Sequence, residues 1–223
     1  MLTIQSVLDP EELAEVRRLI DAGNWVDGRG TAGPLSAAVK RNSQLDERDA
    51  AGHAAGAIIL AALARCGVFA SFALPGRIVP PLFNRYAAGQ GYGDHIDSAI
   101  RPIGDGRMRL DLSATLFLSA PGDYAGGELV IMTDGAEQAV KLAAGDMVVY
   151  SAGTVHRVNA VTRGRRDASF FWVQSLVRDS DKRAMLFGLD RDIQALGNDP
   201  GAMAVVISLV ALYNNLLRTW SEV

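Results

Sequence analysis

The sequence predicts an α+β fold in which an antiparallel sandwich or jelly-roll core is flanked by N-terminal and C-terminal helices. Three observations predict it. Apolar residues recur at helical spacing in the first and last parts of the chain. From Val68 to Val177 the texture changes to short apolar runs punctuated by Gly, Pro and Asp, at the spacing of an all-β core. Within that region Met108 to Ala120 alternates with period two. Leu110, Leu112, Ala114, Leu116 and Leu118 share one face, and Arg109, Asp111, Ser113, Thr115 and Phe117 the other. Such a strand suits a wall with core behind it and a wet cavity in front.

Taken in order, Asp9-Pro10-Glu11-Glu12 carries the signals of a helix start: a capping side chain, a proline suited to the first turn, and acids near the positive end of the dipole. Leu13, Val16, Leu19 and Ile20 give the stripe, and Gly23 the stop. A Gly-rich loop from Gly28 to Pro34 precedes a second, Ala-rich helix predicted over Asp46 to Arg65 and ending at Gly67. Short strands are predicted over Val68–Ala73, Ile78–Tyr86, Met108–Ala120, a hairpin of Glu128–Met132 and Gln138–Leu142 around Thr133-Asp134-Gly135, then Met147–Ser151 and Val155–Val158. A turn at Thr162-Arg163-Gly164 leads to a last strand from Arg166 to Val177. Helices return over Asp179–Leu189 and Gly201–Trp220. The expected division is a helical region supporting the sheet over 1–76, a core over 77–177 and a helical extension over 178–223.

Composition narrows the classes of function. The chain has 223 residues, 49% hydrophobic and 21% charged, enough to bury its own core. A net charge of -3 implies no general attraction to nucleic acid or an anionic membrane. The single Cys66 excludes an intrachain disulfide and Cys-rich metal sites. No basic segment followed by an apolar run opens the chain, and the apolar run Ala202–Tyr213 is interrupted by Ser208 and short for a bilayer. A cytoplasmic protein is expected.

The chain holds three histidines: His53, His95 and His156. His53 lies in a helix without a partner. His95 and Asp97 are two positions apart in His95-Ile96-Asp97, so on a strand they share a face. His156, beyond the hairpins, is the available third ligand. Two imidazoles and one carboxylate form a facial triad that leaves coordination positions open, and this thiolate-free set suits Fe(II). The imidazoles must be neutral to bind, so affinity is expected to fall as pH drops through the histidine range near 6.5. Ten residues beyond His156, Arg166 offers a bidentate clamp for a carboxylate. Metal and arginine together suit a dicarboxylate that chelates iron at one end and pairs with Arg166 at the other. On a regular strand Ala168, Phe170, Trp172 and Gln174 share the face of Arg166, so Phe170 and Trp172, with Thr115, are candidate pocket walls. Arg101, Asp105 and Arg107, in the loop after the motif, are further candidates to meet substrate.

These residues, with Gly126-Gly127-Glu128 between, resemble the iron(II)/2-oxoglutarate-dependent dioxygenases of the prolyl 4-hydroxylase-like type. The phrases PLFNRY, YGDHIDSAI, DLSATLFLS, AGDMVVYSAGTVHRVNAVTRG and the tail RDSDKRAMLFGLD…LYNNLLRTWSE are similar to one bacterial branch, the PKHD-type hydroxylases, over nearly the whole chain. The resemblance implies a double-stranded β-helix with Fe(II) on His95, Asp97 and His156 and 2-oxoglutarate on Arg166. Tyr86 either offers its hydroxyl to the 2-oxoglutarate carboxylate or packs the core, and Asn84 points to the same side. L-ascorbate as a reductant and a link to iron uptake are also implied. The expected reaction hydroxylates an amino acid residue, peptide or small molecule, with succinate and CO2 as co-products. The competing reading is a cupin-like module that binds a metal or small acid without turnover; Arg166 favours the oxygenase. A homodimer through the C-terminal helix is a further expectation. Gly89, Gly91 and Gly93 read as a flexible lead-in to His95.

Overall fold

The computed structural model describes residues 1–31, 33–133 and 135–222. The elements run β1 (Leu2–Ile4), α1 (Pro10–Ala22), β2 (Trp25–Asp27), a 3-10 turn (Gly28–Thr31), α2 (Pro34–Ala38), β3 (Lys40–Arg41), β4 (Ser43–Leu45), α3 (Ala50–Arg65) and α4 (Gly67–Ala73). They continue through β5 (Pro75–Ile78), β6 (Leu82–Ala87), β7 (Gly91–His95), β8 (Ile100–Ile103), β9 (Gly106–Arg109), β10 (Leu112–Phe117), β11 (Tyr124–Gly126), β12 (Leu129–Thr133), β13 (Ala136–Val140), β14 (Met147–Ser151), β15 (His156–Val158) and β16 (Val161–Ser175). Helix α5 (Ser180–Leu196), a 3-10 turn (Pro200–Ala202) and α6 (Met203–Trp220) close the chain.

The α1 start follows from its first residues: the Asp9 carboxylate accepts from the Glu12 N–H at 2.8 Å and the Glu12 side chain accepts from the Asp9 N–H at 3.1 Å, a reciprocal capping box. Helix α3 starts later than predicted, because Asp49 is the capping residue, accepting from the Ala51 N–H, while Asp46 accepts from the Arg48 N–H before the helix begins. The strand predicted over Val68–Ala73 is instead α4, set at 85° to α3. The sharp bend delivers Phe69 and Ala73 to the core, and burial outweighs the strand propensity of so short a run.

Among the described residues all the strand pairs are antiparallel, in a large sheet with the path β1-β14-β10-β16-β6-β4-β2, which β5 and β11 join through β16, a small one ordered β13-β12-β15-β7-β3, and a two-stranded sheet of β8 and β9. The segment before residue 77 therefore adds β1, β2 and β4 to the large sheet and β3 to the small one. On the outer face of the large sheet, Ala114, Leu116, Val149, Phe171 and Val173 pack against Val16, Ile20, Ile59, Leu63 and Phe69 of the helices. Each such fully buried large side chain stabilises by about 1.5–3 kcal/mol. Between the sheets Tyr86, Phe117, Tyr124, Leu129, Ile131, Val148 and Tyr150 form a second cluster. The predicted alternation over 108–120 thus holds in β10, although β9 and β10 are separate strands. The hairpin of β12 and β13 is as predicted, and its Asp134 lies outside the described residues.

The turn predicted at Thr162-Arg163-Gly164 is absent. Those residues lie inside β16, where Gly164 (φ +77) pairs with Tyr124 and a Cβ would lie 2.0 Å from the Asp123 carbonyl oxygen. Glycine there permits a close strand approach rather than a reversal. Chain reversal comes earlier, between β15 and β16, and moves the chain from the small sheet to the large one. Arg166 therefore does not return beside His156 in one sheet; it faces the site from the opposite wall.

Both C-terminal helices begin near their predicted positions, α5 capped by Asp179. Tyr213, Leu216, Leu217 and Trp220 of α6 pack on Leu74, Val177 and Leu186. The stretch Pro200–Trp220, 21 residues with mean hydropathy 1.6, is long and apolar enough to cross a bilayer by length and composition. The apolar run Ala202–Tyr213 read from the sequence is one part of this longer helical stretch, which continues to Trp220.

Candidate metal centre

His95 ends β7 and His156 begins β15, and the two residues are directly opposite in the β7–β15 ladder. Their ring centroids are 4.2 Å apart, and the Asp97 Oδ2 lies 3.8 Å from the His156 Nε2. One ligand atom from each of the three side chains lies within 4.8 Å of the others. No other such cluster occurs among the described residues; His53 is exposed with its Nε2 2.8 Å from the Glu47 carbonyl oxygen.

The surroundings fix how these side chains present themselves. The His95 Nδ1 lies 2.8 Å from the Gly93 carbonyl oxygen, and the His156 Nδ1 2.9 Å from that of Thr154. A carbonyl oxygen only accepts, so each ring carries its proton on Nδ1 and turns a bare Nε2 lone pair inward. Tyr92 stacks on His95 with centroids 3.6 Å apart, and Tyr150 meets His156 edge-on at 5.1 Å. Burial pushes the His95 pKa down to about 4, helped by His156, against a smaller opposing pull from the Gly93 carbonyl. Neutral His95 is thus ready for a metal well below the expected range near 6.5. Buried Asp97 Oδ2 has no hydrogen-bond partner. Two inward lone pairs and an orphaned carboxylate oxygen fit a divalent cation.

The opposite wall belongs to the large sheet. Arg166 stands across from Tyr86 in the β16–β6 ladder and is 1% exposed. All three of its guanidinium nitrogens are buried without a hydrogen-bond acceptor. The guanidinium carbon lies 5.2 Å from the Phe117 ring centre and 5.4 Å from that of Tyr86. A buried cation in an aromatic cradle without an acceptor fits an incoming carboxylate. The Tyr86 phenol is pushed up to about 12 by burial, which exceeds the opposing pull of Arg166, so it stays a hydroxyl donor. The Asn84 Nδ2 is 3.5 Å from the Tyr86 oxygen, and the Asn84 Oδ1 is buried without a partner.

On the other face of β16, Asp167 pairs with Arg85 at 2.8 Å, and Arg85 also reaches Asp21 at 2.7 Å. Asp167 and Arg85 are opposite residues in the same ladder that sets Arg166 against Tyr86. The pair pins the register that aims Arg166 inward.

A cavity of about 460 Å³ joins the two walls. It is lined by His95, Asp97, His156, Arg166, Tyr86, Asn84, Thr115, Phe170 and Trp172, bringing together all the residues singled out from the sequence as ligands, clamp and wall. Arg101 also lines it, with a bidentate pair to Glu47 at 2.9 Å, whereas Asp105 and Arg107 do not. Lys40, Gln44, Tyr92, Ser113 and Tyr150 line it too and were not singled out. The alternation of β10 signals Ser113 beside Thr115; Lys40 and Gln44 carry no local signal. Gly91 and Gly93 are not hinges. Both lie in β7, where a Cβ on Gly91 would be 3.0 Å from the Val158 carbonyl oxygen and one on Gly93 2.9 Å from the Val39 Cβ. They allow β3 and β15 to close on either side of the histidine strand.

Two facing antiparallel sheets with a His-Asp-His cluster between them define the class, and comparison with known proteins agrees. A family model described as the 2OG-Fe(II) oxygenase superfamily matches residues 81–174, and one described as the PKHD-type hydroxylase C-terminal domain matches 180–222. Solved relatives include a Pseudomonas putida prolyl-4-hydroxylase, with TM-score 0.51 and 25% identity over 78% of this chain and 91% of that one. The viral collagen prolyl hydroxylase of Paramecium Bursaria Chlorella virus-1, solved as a 2-oxoglutarate complex, shares the fold with TM-score 0.54 and 17% identity over 78% of this chain and 95% of that one. These neighbours have a double-stranded β-helix core. Among curated sequences, a PKHD-type hydroxylase of Paraburkholderia xenovorans is 50% identical over 100% of this chain and 99% of its own length. Another, from Phenylobacterium zucineum, is 52% identical over 100% of both. The chain belongs to the PKHD-type hydroxylases, a family of 2-oxoglutarate-dependent Fe(II) dioxygenases. Membership sets aside the cupin-like module without turnover.

Proposed function

We propose that His95 Nε2, Asp97 and His156 Nε2 hold Fe(II), and that Arg166, with the Tyr86 hydroxyl and Asn84, holds the distal carboxylate of 2-oxoglutarate. The observation that carries this reading is the pair of complementary vacancies in hydrogen bonding: an orphaned Asp97 oxygen at one end of the cavity and an acceptor-less Arg166 at the other. The bound iron and cosubstrate supply oxygen activation coupled to oxidative decarboxylation, with succinate and CO2 as co-products and a hydroxylated substrate as product. The protein's own part is placement. The Gly93 and Thr154 carbonyls lock the imidazole tautomers, the Arg85–Asp167 pair holds the register of Arg166, and Phe170, Trp172 and Thr115 wall the substrate space and limit water.

The substrate is a small molecule or a side chain presented in the cavity. We further propose ascorbate as a reductant and an iron-uptake setting, on the family resemblance, and a cytoplasmic location. For the homodimer, the support is the exposure of Met203, Val205, Ile207, Val210 and Leu212 on α6, and mass measurement in solution tests it. The test of the activity is succinate formation from 2-oxoglutarate with Fe(II), compared between the wild type and Asp97→Ala. Equal turnover in the two proteins overturns the assignment.

A further inference from the structure

From the exposed apolar side chains beside the metal ligands we infer that the primary substrate is a polypeptide, and that Met132, Val155 and Ile96 form a ledge for apolar side chains next to the residue that is hydroxylated. The inference rests on the iron and 2-oxoglutarate reading and goes beyond it to the chemical class of the substrate.

Ile131, His156 and His95 stand abreast on β12, β15 and β7. One step further along the same ladders come Met132, Val155 and Ile96, and the Met132 N–H donates to the Val155 carbonyl oxygen at 2.9 Å. Because β7 ends at His95 and β15 begins at His156, this row is the end of the small sheet there. Ile131 and His156 are buried, whereas Met132 and Val155 are each 37% exposed and Ile96 is 52% exposed. Strand alternation is the cause: the register that turns the imidazoles inward turns their neighbours outward. The charged groups beside the row are matched among themselves, Arg157 pairing with Glu137 at 2.7 Å and with Asp94 at 3.4 Å. What the row offers a partner is therefore apolar contact.

Single exposed apolar residues need no explanation, but a contiguous row marks a surface that binds something. Two features say what covers this one. The first is continuity with the site. Ile96 stands between the ligands His95 and Asp97 and lines the cavity, as does Ile100 of β8, which is 50% exposed. The row thus leads into the substrate space, where Leu82, Leu110, Phe170 and Trp172 continue the apolar wall. The second is length. Neighbouring strands lie about 4.8 Å apart, so the row runs about 10 Å across three strands, the reach of about three residues of extended chain. A free molecule that fills the cavity of about 460 Å³ leaves the row bare. An extended chain with one side chain in the cavity covers both, its flanking apolar residues lying on the ledge.

The experiment uses the full chain with Mn(II) in place of Fe(II) and saturating 2-oxoglutarate, so that binding is read without turnover. The probe is a displayed library of random octapeptides, from which enriched sequences are synthesised with a fluorophore and measured by anisotropy. The expected result is enrichment of sequences carrying apolar residues, bound about fivefold or more weakly by the double variant Met132→Gln, Val155→Thr than by the wild type. Both replacements keep the size and shape of the side chain, and Thr keeps the strand preference of Val. Mn(II) and 2-oxoglutarate affinities stay unchanged in the double variant, since neither side chain lines the cavity. The wild-type selection needs no variant: enriched sequences without apolar residues overturn the inference even where the double variant fails to fold. Equal peptide affinity in the two proteins overturns it while leaving the cosubstrate reading in place. So does a library that yields no binder. A wild type that is dimeric in solution and monomeric as the double variant places a second copy on the row and also overturns it. Failure of Mn(II) and 2-oxoglutarate to bind at all overturns both readings.

Discussion

Arg166 faces Tyr86 directly across the β16–β6 ladder, while the neighbouring pair in that ladder, Asp167 and Arg85, forms a salt bridge on the other face. Alternation along two paired strands thus places a clamp on the wet side and its support on the dry side. Consequences for binding and stability follow from this pairing and from the metal cluster opposite it.

Arg166→Met should weaken 2-oxoglutarate binding by about 10- to 100-fold, the worth of a charge-assisted, bidentate contact. The metal-free protein should melt at a higher temperature than the wild type, because a buried guanidinium without an acceptor is replaced by an apolar side chain. Calorimetric titration with Mn(II) present and thermal melts of the apo protein check both halves. A lower apo melting temperature would show that Arg166 supports the fold without ligand.

His95→Ala or Asp97→Ala should lower divalent metal affinity by at least about 100-fold, since even supporting residues behind such ligands are worth 10- to 100-fold. His53→Ala should leave affinity unchanged, its ring being engaged at the Glu47 carbonyl. Equilibrium dialysis with Mn(II) distinguishes the variants.

The folded-state pKa of His95 lies below its unfolded value near 6.5, at about 4. Between these values the unfolded chain binds more protons, so apo stability should fall as pH falls through that window and hold steady above it. Urea midpoints measured across that range in the wild type and in His95→Gln provide the check; the His95→Gln profile should be flatter. Identical profiles would exclude His95 as the source.

Asp167→Asn should destabilise the fold by about 1.5 kcal/mol, since it removes one charge-assisted contact from Arg85, which keeps Asp21 as its other partner. It should also raise the 2-oxoglutarate KM, because the register that aims Arg166 loses its pin. Urea unfolding measures the first effect and steady-state kinetics the second. Loss of stability with an unchanged KM would separate the salt bridge from the clamp.

Much of the site was legible because its signals are local. His95-Ile96-Asp97 puts two ligand types on one strand face, and the period-two pattern of β10 separates Thr115 from Ala114. Asp9 and Asp179 mark helix starts through hydrogen bonds that span three residues. Misreadings arose where two local signals competed. Val68–Ala73 has strand-forming residues but helix geometry, since only a bent helix brings Phe69 into the core. Gly164 resembles a turn residue, yet its positive φ serves the approach of β11 to β16.

By itself the sequence determined the chemistry available to this protein: two imidazoles, a carboxylate and an arginine, in an order that suits iron and a dicarboxylate, set within a β-core between helices. Only the tertiary structure decided how those groups meet. His156 and Arg166 are close in the chain but stand on different sheets, so the cavity lies between metal and clamp. Lys40, on a two-residue strand with no motif around it, enters that cavity because β3 pairs with β7. Side-chain type and strand alternation are set by neighbours in the chain, whereas the distance between two sheets is set by the packing of all the residues between them.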